Sequence, residues 1–227
     1  MGLIGSILGK LKQSSAPNPI RETLFGDMPL EKWPSDSKTA EEFPWEKFVQ
    51  ARTDIADGRT EAAVVCWREI LEHPGLEPRH YLQAWNFLRQ NGQKPPPETA
   101  KLLLGVVVEV AMPEGLDLLA AYSDYSARYY NYSGAGVVWD HPDDSLNSKI
   151  DAFFVESRQV VANIGPWEGQ RPSAPPRGQA RLSFLTPGGL CFGQGPMEAL
   201  SRDALAGDVL DAATILMKAL ISKTEKS

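Results

Sequence analysis

Cysteine is nearly absent from this chain of 227 residues, which has only Cys66 and Cys191. A disulfide-stapled secreted scaffold needs closely spaced pairs, so the reading is two reduced, buried thiols in a cytoplasmic protein. Histidine is as scarce, with three residues, and neither His73 nor His80 has a Cys or carboxylate spaced to complete a zinc set. Basic residues are outnumbered, 23 Lys and Arg against 29 Asp and Glu, for a net charge of −6. No basic run is long enough for a phosphate backbone, so no nucleic-acid partner is expected. No apolar run approaches the ~20 residues that span a bilayer, and the N-terminus lacks a positive leader with a cleavage site. What remains, 42% hydrophobic and 23% charged, is ordinary for a folded globular protein.

The first segment, residues 1–13, carries a pattern. Leu3, Ile4, Ile7, Leu8 and Leu11 share one helical face, with Ser6, Lys10, Lys12 and Gln13 opposite. Gly2, Gly5 and Gly9 each cost ~1 kcal/mol of helix propensity, so this helix needs a surface to fold onto. Lipid, a partner's groove and the protein's own body all qualify. Residues 14–44 follow as a Pro-rich linker, with Pro17, Pro19, Pro29, Pro34 and Pro44 against sustained helix or strand. Its apolar beads Leu24, Phe25, Met28, Leu30 and Trp33 suit a strap across a folded surface.

A helical region spans residues 45–104. Trp45, Phe48 and Ile55 mark a helix stopped at Asp57-Gly58. Ala63, Cys66, Trp67 and Ile70 mark a second, stopped at Pro74-Gly75, and Tyr81, Trp85 and Leu88 a third, ending at Asn91-Gly92. His73 and His80, beside Pro74 in the connection, are expected to face solvent. Gly58 in the turn, Ala63 five positions on and Trp67 four further resemble the tetratricopeptide repeat, over about residues 45–75. Pro74 stands one place early, and Gln50 and Asp54 occupy positions where the family has large apolar side chains. The resemblance implies a short helical-repeat-like unit and a role in peptide binding.

At Gly105 the pattern changes to strands. GVVVEVAM, LDLLAAYS, ARYYNYS and VVWD, divided by turns, predict an antiparallel meander. A helix over Leu146, Ile150, Phe153, Phe154 and Val161 follows, with Ser145 as its cap. ARLSFL and LCFG then pair across Pro187-Gly188-Gly189, and a last helix carries Leu205 to Leu220. Residues 105–227 therefore read as an α+β domain, an antiparallel sheet covered by two helices, in a layout similar to profilin-like and longin-like domains. GVVVEV, LAAYSDYSARYYNYSG and FGQGP also resemble uncharacterised bacterial proteins, a likeness that brings no activity with it.

Three places attract chemistry. Asp140, His141, Asp143 and Asp144 concentrate metal-ligand types, but Asp143 to Ser145 equally suit a helix N-terminus. Gly193-Gln194-Gly195, read as a strand-to-helix turn, is a candidate anion loop, although Glu198 stands where a dinucleotide fingerprint has Gly or Ala. Cys191 is a nucleophile only with a base beside it. The phenols Tyr122, Tyr129, Tyr130 and Tyr132 suggest an aromatic binding platform on the meander, with Trp85 as a further anchor. The expectation is a non-catalytic intracellular adaptor without cofactors, binding a protein partner and touching membranes peripherally through Leu3, Ile4, Ile7, Leu8 and Leu11. The alternative is a small-ligand-binding or enzymatic domain using Asp140–Asp144 or Gly193–Gly195.

Overall fold

The run Gly105–Ala111, GVVVEVA, sets β-branched residues around one carboxylate, a composition that fits a strand covered on both sides. In the computed structural model of the chain, which describes residues 19–32 and 41–224, this run is β1, in the interior of a six-stranded sheet. β2 (Leu116–Tyr122), β3 (Ala127–Tyr130) and β4 (Gly136–Trp139) follow as the meander; β5 (Gln179–Thr186) and β6 (Gly189–Pro196) form a hairpin. The spatial order is β4-β3-β2-β1-β5-β6, and every neighbouring pair is antiparallel. Between β4 and β5 the chain must pass from one edge to the far side of β1. The helix that follows β4 in the chain, numbered α6 below (Asn147–Asn163), makes that crossing along one face.

Strand alternation sorts the side chains. Val106, Val108, Leu119, Trp139, Leu182 and Phe184 share the face that meets α6 and the C-terminal helix α8 (Ala206–Thr224). Ile150, Phe153, Phe154 and Val161 of α6 and Val209, Ala213, Leu216 and Leu220 of α8, spaced along one stripe of each helix, complete this core. The chain is thus an α+β protein with two helices over one face of an antiparallel sheet.

The other face has its own cover. Before the sheet come α1 (Pro19–Glu22), α2 (Trp45–Ala56), α3 (Thr60–Glu72), α4 (Pro78–Gln90) and the single turn α5 (Pro97–Ala100). α2, α3 and α4 build a core of Phe48, Ala63, Cys66, Trp67, Ile70 and Phe87, with Gly58 at φ +76° turning α2 into α3. α4 and segment 19–32 then lie on Val107, Leu118, Ala120, Tyr122 and Leu185 through Leu82, Leu24 and Phe25. The segment is fastened by Tyr122 Oη, which donates to the Leu24 carbonyl at 2.7 Å, and by Gln83, whose side chain both donates to and accepts from the Met28 backbone at 2.9 Å. Gly26, at φ +62°, lies so close to α4 that an added Cβ would come within 2.8 Å of the Arg79 carbonyl oxygen. Met1–Gln13 and Trp33 lie outside the described residues.

Three expectations need correction. Gly193-Gln194-Gly195 is no strand-to-helix turn: it lies within β6, paired with Leu182, Arg181 and Ala180, and the one-turn α7 (Met197–Leu200) begins only after Pro196. Backbone pairing carries the strand through its glycines to the proline. His80 is buried, 9% exposed, because α4 turns it toward Trp45 at 4.9 Å instead of solvent. The cap before α6 is the Asp143 carboxylate, which accepts from the Ser145 amide at 2.8 Å and opens a 3-10 turn, Asp144–Leu146, that leads into the helix.

Candidate functional site

The β4–α6 loop gathers its carboxylates without making them converge. Asp140 pairs with Arg128 at 3.7 Å, His141 Nε2 lies 3.3 Å from Asp144 Oδ1, and Asp143 serves the Ser145 amide. The His141 ring stacks on Tyr125 at 5.3 Å, and Asp144 also accepts from Asn147 Nδ2 at 2.8 Å. Hydrogen bonds from Ser145 hold the Asp143 carboxyl below its ordinary range, as expected of a capping group. Among the described residues no three His, Cys, Asp or Glu side chains are grouped to hold a metal ion. Asp140, His141 and Asp143 therefore do not form the ligand set considered for them, because each is committed to a different neighbour.

Cys191 and Cys66 are both 3% exposed, and burial pushes each thiol up. A nucleophilic cysteine needs the reverse, a depressed pKa at an accessible site.

The tyrosines do not share a platform. Tyr122 is buried under segment 19–32. Tyr129 and Tyr130, being adjacent in β3, point to opposite faces of the sheet. Tyr129 packs toward α6 and α8, donates to Asp117 Oδ2 at 3.0 Å, and is pushed up to about 12 by burial and that carboxylate. Tyr130 lies on the other face, and Tyr132 is 55% exposed beyond the strand end. Trp85 is half-buried against the three-helix core. The set expected to bind together is thus spread over four environments.

The strongest electrostatic feature was visible in the sequence only as the odd carboxylate of GVVVEVA. Glu109 is fully buried. Its Oε1 accepts from Arg21 Nε at 2.5 Å, and its Oε2 from Arg181 Nη1 at 3.3 Å and Arg21 Nη2 at 3.4 Å. Both arginines also donate to the Pro172 carbonyl, and Arg181 reaches Gln194 on β6. Burial depresses Arg181, with Glu109 opposing. Alongside, Arg171 pairs with Asp27 and Glu22 at 2.6 Å and stacks on Phe25 at 4.2 Å. Burial lowers Arg171, but these two carboxylates outweigh it and leave the guanidinium raised. Both Glu109 oxygens are occupied, so the cluster fastens segment 19–32 and the 165–178 loop to the sheet and offers nothing to a substrate.

A concave site lies on the other side, between α6 and α8. A cleft of about 270 Å³ is lined by Ser148, Lys149, Ala152 and Glu156 of α6 and Asp208, Asp211, Ala212 and Ile215 of α8. Ser148, Ala152 and Glu156 repeat every four residues, as do Asp208, Ala212 and, one short, Ile215, so each helix contributes one outward row. Small side chains at Ser148, Ala152 and Ala212 leave the groove open between the rows. Ile215 is 56% exposed, and Val155 next to the α6 row is 48% exposed. Three carboxylates against one ammonium make the rim acidic. A second cavity, by Arg89 and Gly189, measures about 30 Å³, room for one water. No helix among the described residues is long and apolar enough to cross a membrane. No protein-family model matches the chain, and comparisons with curated proteins and with solved structures found no match.

Proposed function

We propose that this chain is a non-catalytic adaptor, and that the α6/α8 cleft receives an amphipathic, basic helix from a protein partner. One observation carries the reading: an exposed isoleucine, Ile215, stands in a groove of small side chains rimmed by Glu156, Asp208 and Asp211. A helix laid in such a groove buries its apolar stripe on Ala152, Ala212 and Ile215 and sets Lys or Arg against the carboxylates. The charge gives partner choice and association rate, and the apolar floor gives residence. The two buried, unpaired thiols support a cytoplasmic setting.

The test uses a fluorescein-labelled peptide of about 14 residues, Leu and Lys patterned as an amphipathic helix, with a Leu/Glu version of the same pattern as control. Anisotropy should show binding of the basic peptide with Kd in about the micromolar range, weakening as salt is raised. Ile215→Glu should abolish it, while Asp211→Asn should weaken it and reduce its salt dependence. Equal binding of both peptides, or indifference to Ile215→Glu, contradicts the proposal.

A further inference from the structure

β6 is an edge of the sheet, hydrogen-bonded to β5 on one side only. Alternation divides its backbone: Gly189, Cys191, Gly193 and Gly195 turn N–H and C=O to β5, and Leu190, Phe192, Gln194 and Pro196 turn theirs outward. Leu190 fixes the direction, because its carbonyl accepts from the Trp167 amide at 2.7 Å, outside the sheet. Among the described residues no group takes the outward amides and carbonyls of Phe192 and Gln194. Gln194 is exposed, and an added Cβ at Gly193 meets nothing within 4 Å, so the edge is open at its middle. Such a row is a template for another strand, and proteins that stay single blunt it with charge, a bulge or a cover. β6, GLCFGQGP, has no charged side chain and pairs with β5 in unbroken register from Gly189 to Pro196.

The edge is complementary to itself. Two β6 strands laid antiparallel about Gly193 set Phe192 of each copy opposite Gln194 of the other, and each such pair exchanges two N–H···O bonds. Other registers lose bonds. Centring on Phe192 calls on the Leu190 carbonyl, which Trp167 already holds, and centring on Gln194 calls on an amide that Pro196 lacks. At the Gly193 dyad two glycines meet in the close, non-hydrogen-bonded position, about 4.5 Å between Cα atoms, with no side chains to collide. Trp167, 51% exposed and 5.5 Å from the Phe192 ring, stands at the Leu190 end of the strand, and Met197, 37% exposed, follows the Pro196 end. Antiparallel pairing therefore brings Trp167 of each copy to Met197 of the other and gives both an apolar neighbour. Beyond Pro196, Glu198 and Arg202 neutralise one another at 2.7 Å, and Glu168, beside Trp167, stands in solvent. The strands themselves thus meet without like charges, although each copy carries a net charge of −6.

We infer that two copies of this chain join antiparallel through β6, Gly193 against Gly193, so that their two six-stranded sheets become one continuous sheet. A short strand pair with one Trp–Met contact at each end is at the small end of specific interfaces, so monomer and dimer exchange at about micromolar concentrations. This does not depend on the adaptor reading, because β6 and the α6/α8 cleft share no residue.

The test is sedimentation equilibrium of the full chain from about 1 to 300 μM, where a monomer–dimer equilibrium with Kd of about 1–100 μM is expected. Gly193→Lys sets two ammonium groups against each other at the dyad, in space that is open in the single copy. It should weaken association on the order of tenfold or more and leave the Tm at about 1 μM unchanged. Gly193→Cys places two thiols across the dyad at a separation a disulfide can span. With oxidised glutathione it should form covalent dimer on the order of tenfold faster than Val65→Cys, an exposed position on α3. Three results would overturn the inference: monomer alone across the whole range, association indifferent to Gly193→Lys, or Gly193→Cys cross-linking no faster than Val65→Cys.

Discussion

Arg21 Nε sits 2.5 Å from Glu109 Oε1, and 88 residues of sequence separate the two. The contact joins the start of the described chain to the middle of β1, with both side chains nearly removed from water, 6% and 0% exposed. Taking one partner from such a site leaves the other charge uncompensated. Glu109→Leu strands both Arg21 and Arg181 and is expected to cost about 3–5 kcal/mol, read as a lower urea midpoint at unchanged slope. A loss under about 1 kcal/mol would mean the cluster fastens nothing.

His80 makes stability depend on acid. Burial lowers its pKa from 6.5 to about 4, with Arg79 adding to the shift and Glu77 opposing it. The fold therefore holds the neutral ring, and the unfolded chain takes up the proton first. This contribution is complete above pH 6.5 and is lost as pH falls from there toward 4. Between pH 7 and pH 4.5 the loss from this residue should be about 2–3 kcal/mol. In His80→Gln the fall in stability over the same interval, from denaturation curves, should be smaller by that amount; an equal fall in both proteins contradicts the assignment.

Two glycines separate backbone strain from crowding. Gly58 has positive φ, but an added Cβ meets nothing within 4 Å, whereas at Gly26 it meets both the Arg79 carbonyl and Leu82 Cβ at 2.8 Å. Gly58→Ala should cost about 1 kcal/mol from conformation alone. Gly26→Ala adds the lifting of segment 19–32 from α4 and should cost about 2–4 kcal/mol. Thermal melts of the two variants test the order, and equal Tm values would show that the segment yields freely.

The thiols are expected to be inert in the native protein. Cys66 and Cys191 are buried and their pKa values raised, so a thiol reagent at pH 8 should label neither until denaturant is added. Fast native labelling of Cys191 would mean that the core between β6 and the helices opens readily.

Much of this architecture was legible because it is periodic. The valine run of β1, the apolar stripes of α6 and α8, and the Gly58 and Gly92 breaks each state their element locally. Other features hide because their cause is distant or depends on a register. Nothing near Glu109 in the chain names Arg21 or Arg181 as its partners. The alternation of β3 divides Tyr129 from Tyr130, so a cluster in sequence becomes two opposite faces. Gly193 and Gly195 resemble a turn when read alone, yet they belong to an edge strand because β5 pairs with them. The α6/α8 cleft exists only once Ala152 and Ala212 are brought side by side by helices that are far apart in the chain.

Amide hydrogen exchange on the full chain with the basic amphipathic peptide reads out whether α6 and α8 form the partner surface. Saturating peptide should slow exchange over 148–156 and 208–215 and leave 127–139 and the three-helix core unchanged. Protection confined to α2–α4 or to the outer strands, with none over α6 and α8, would contradict the account.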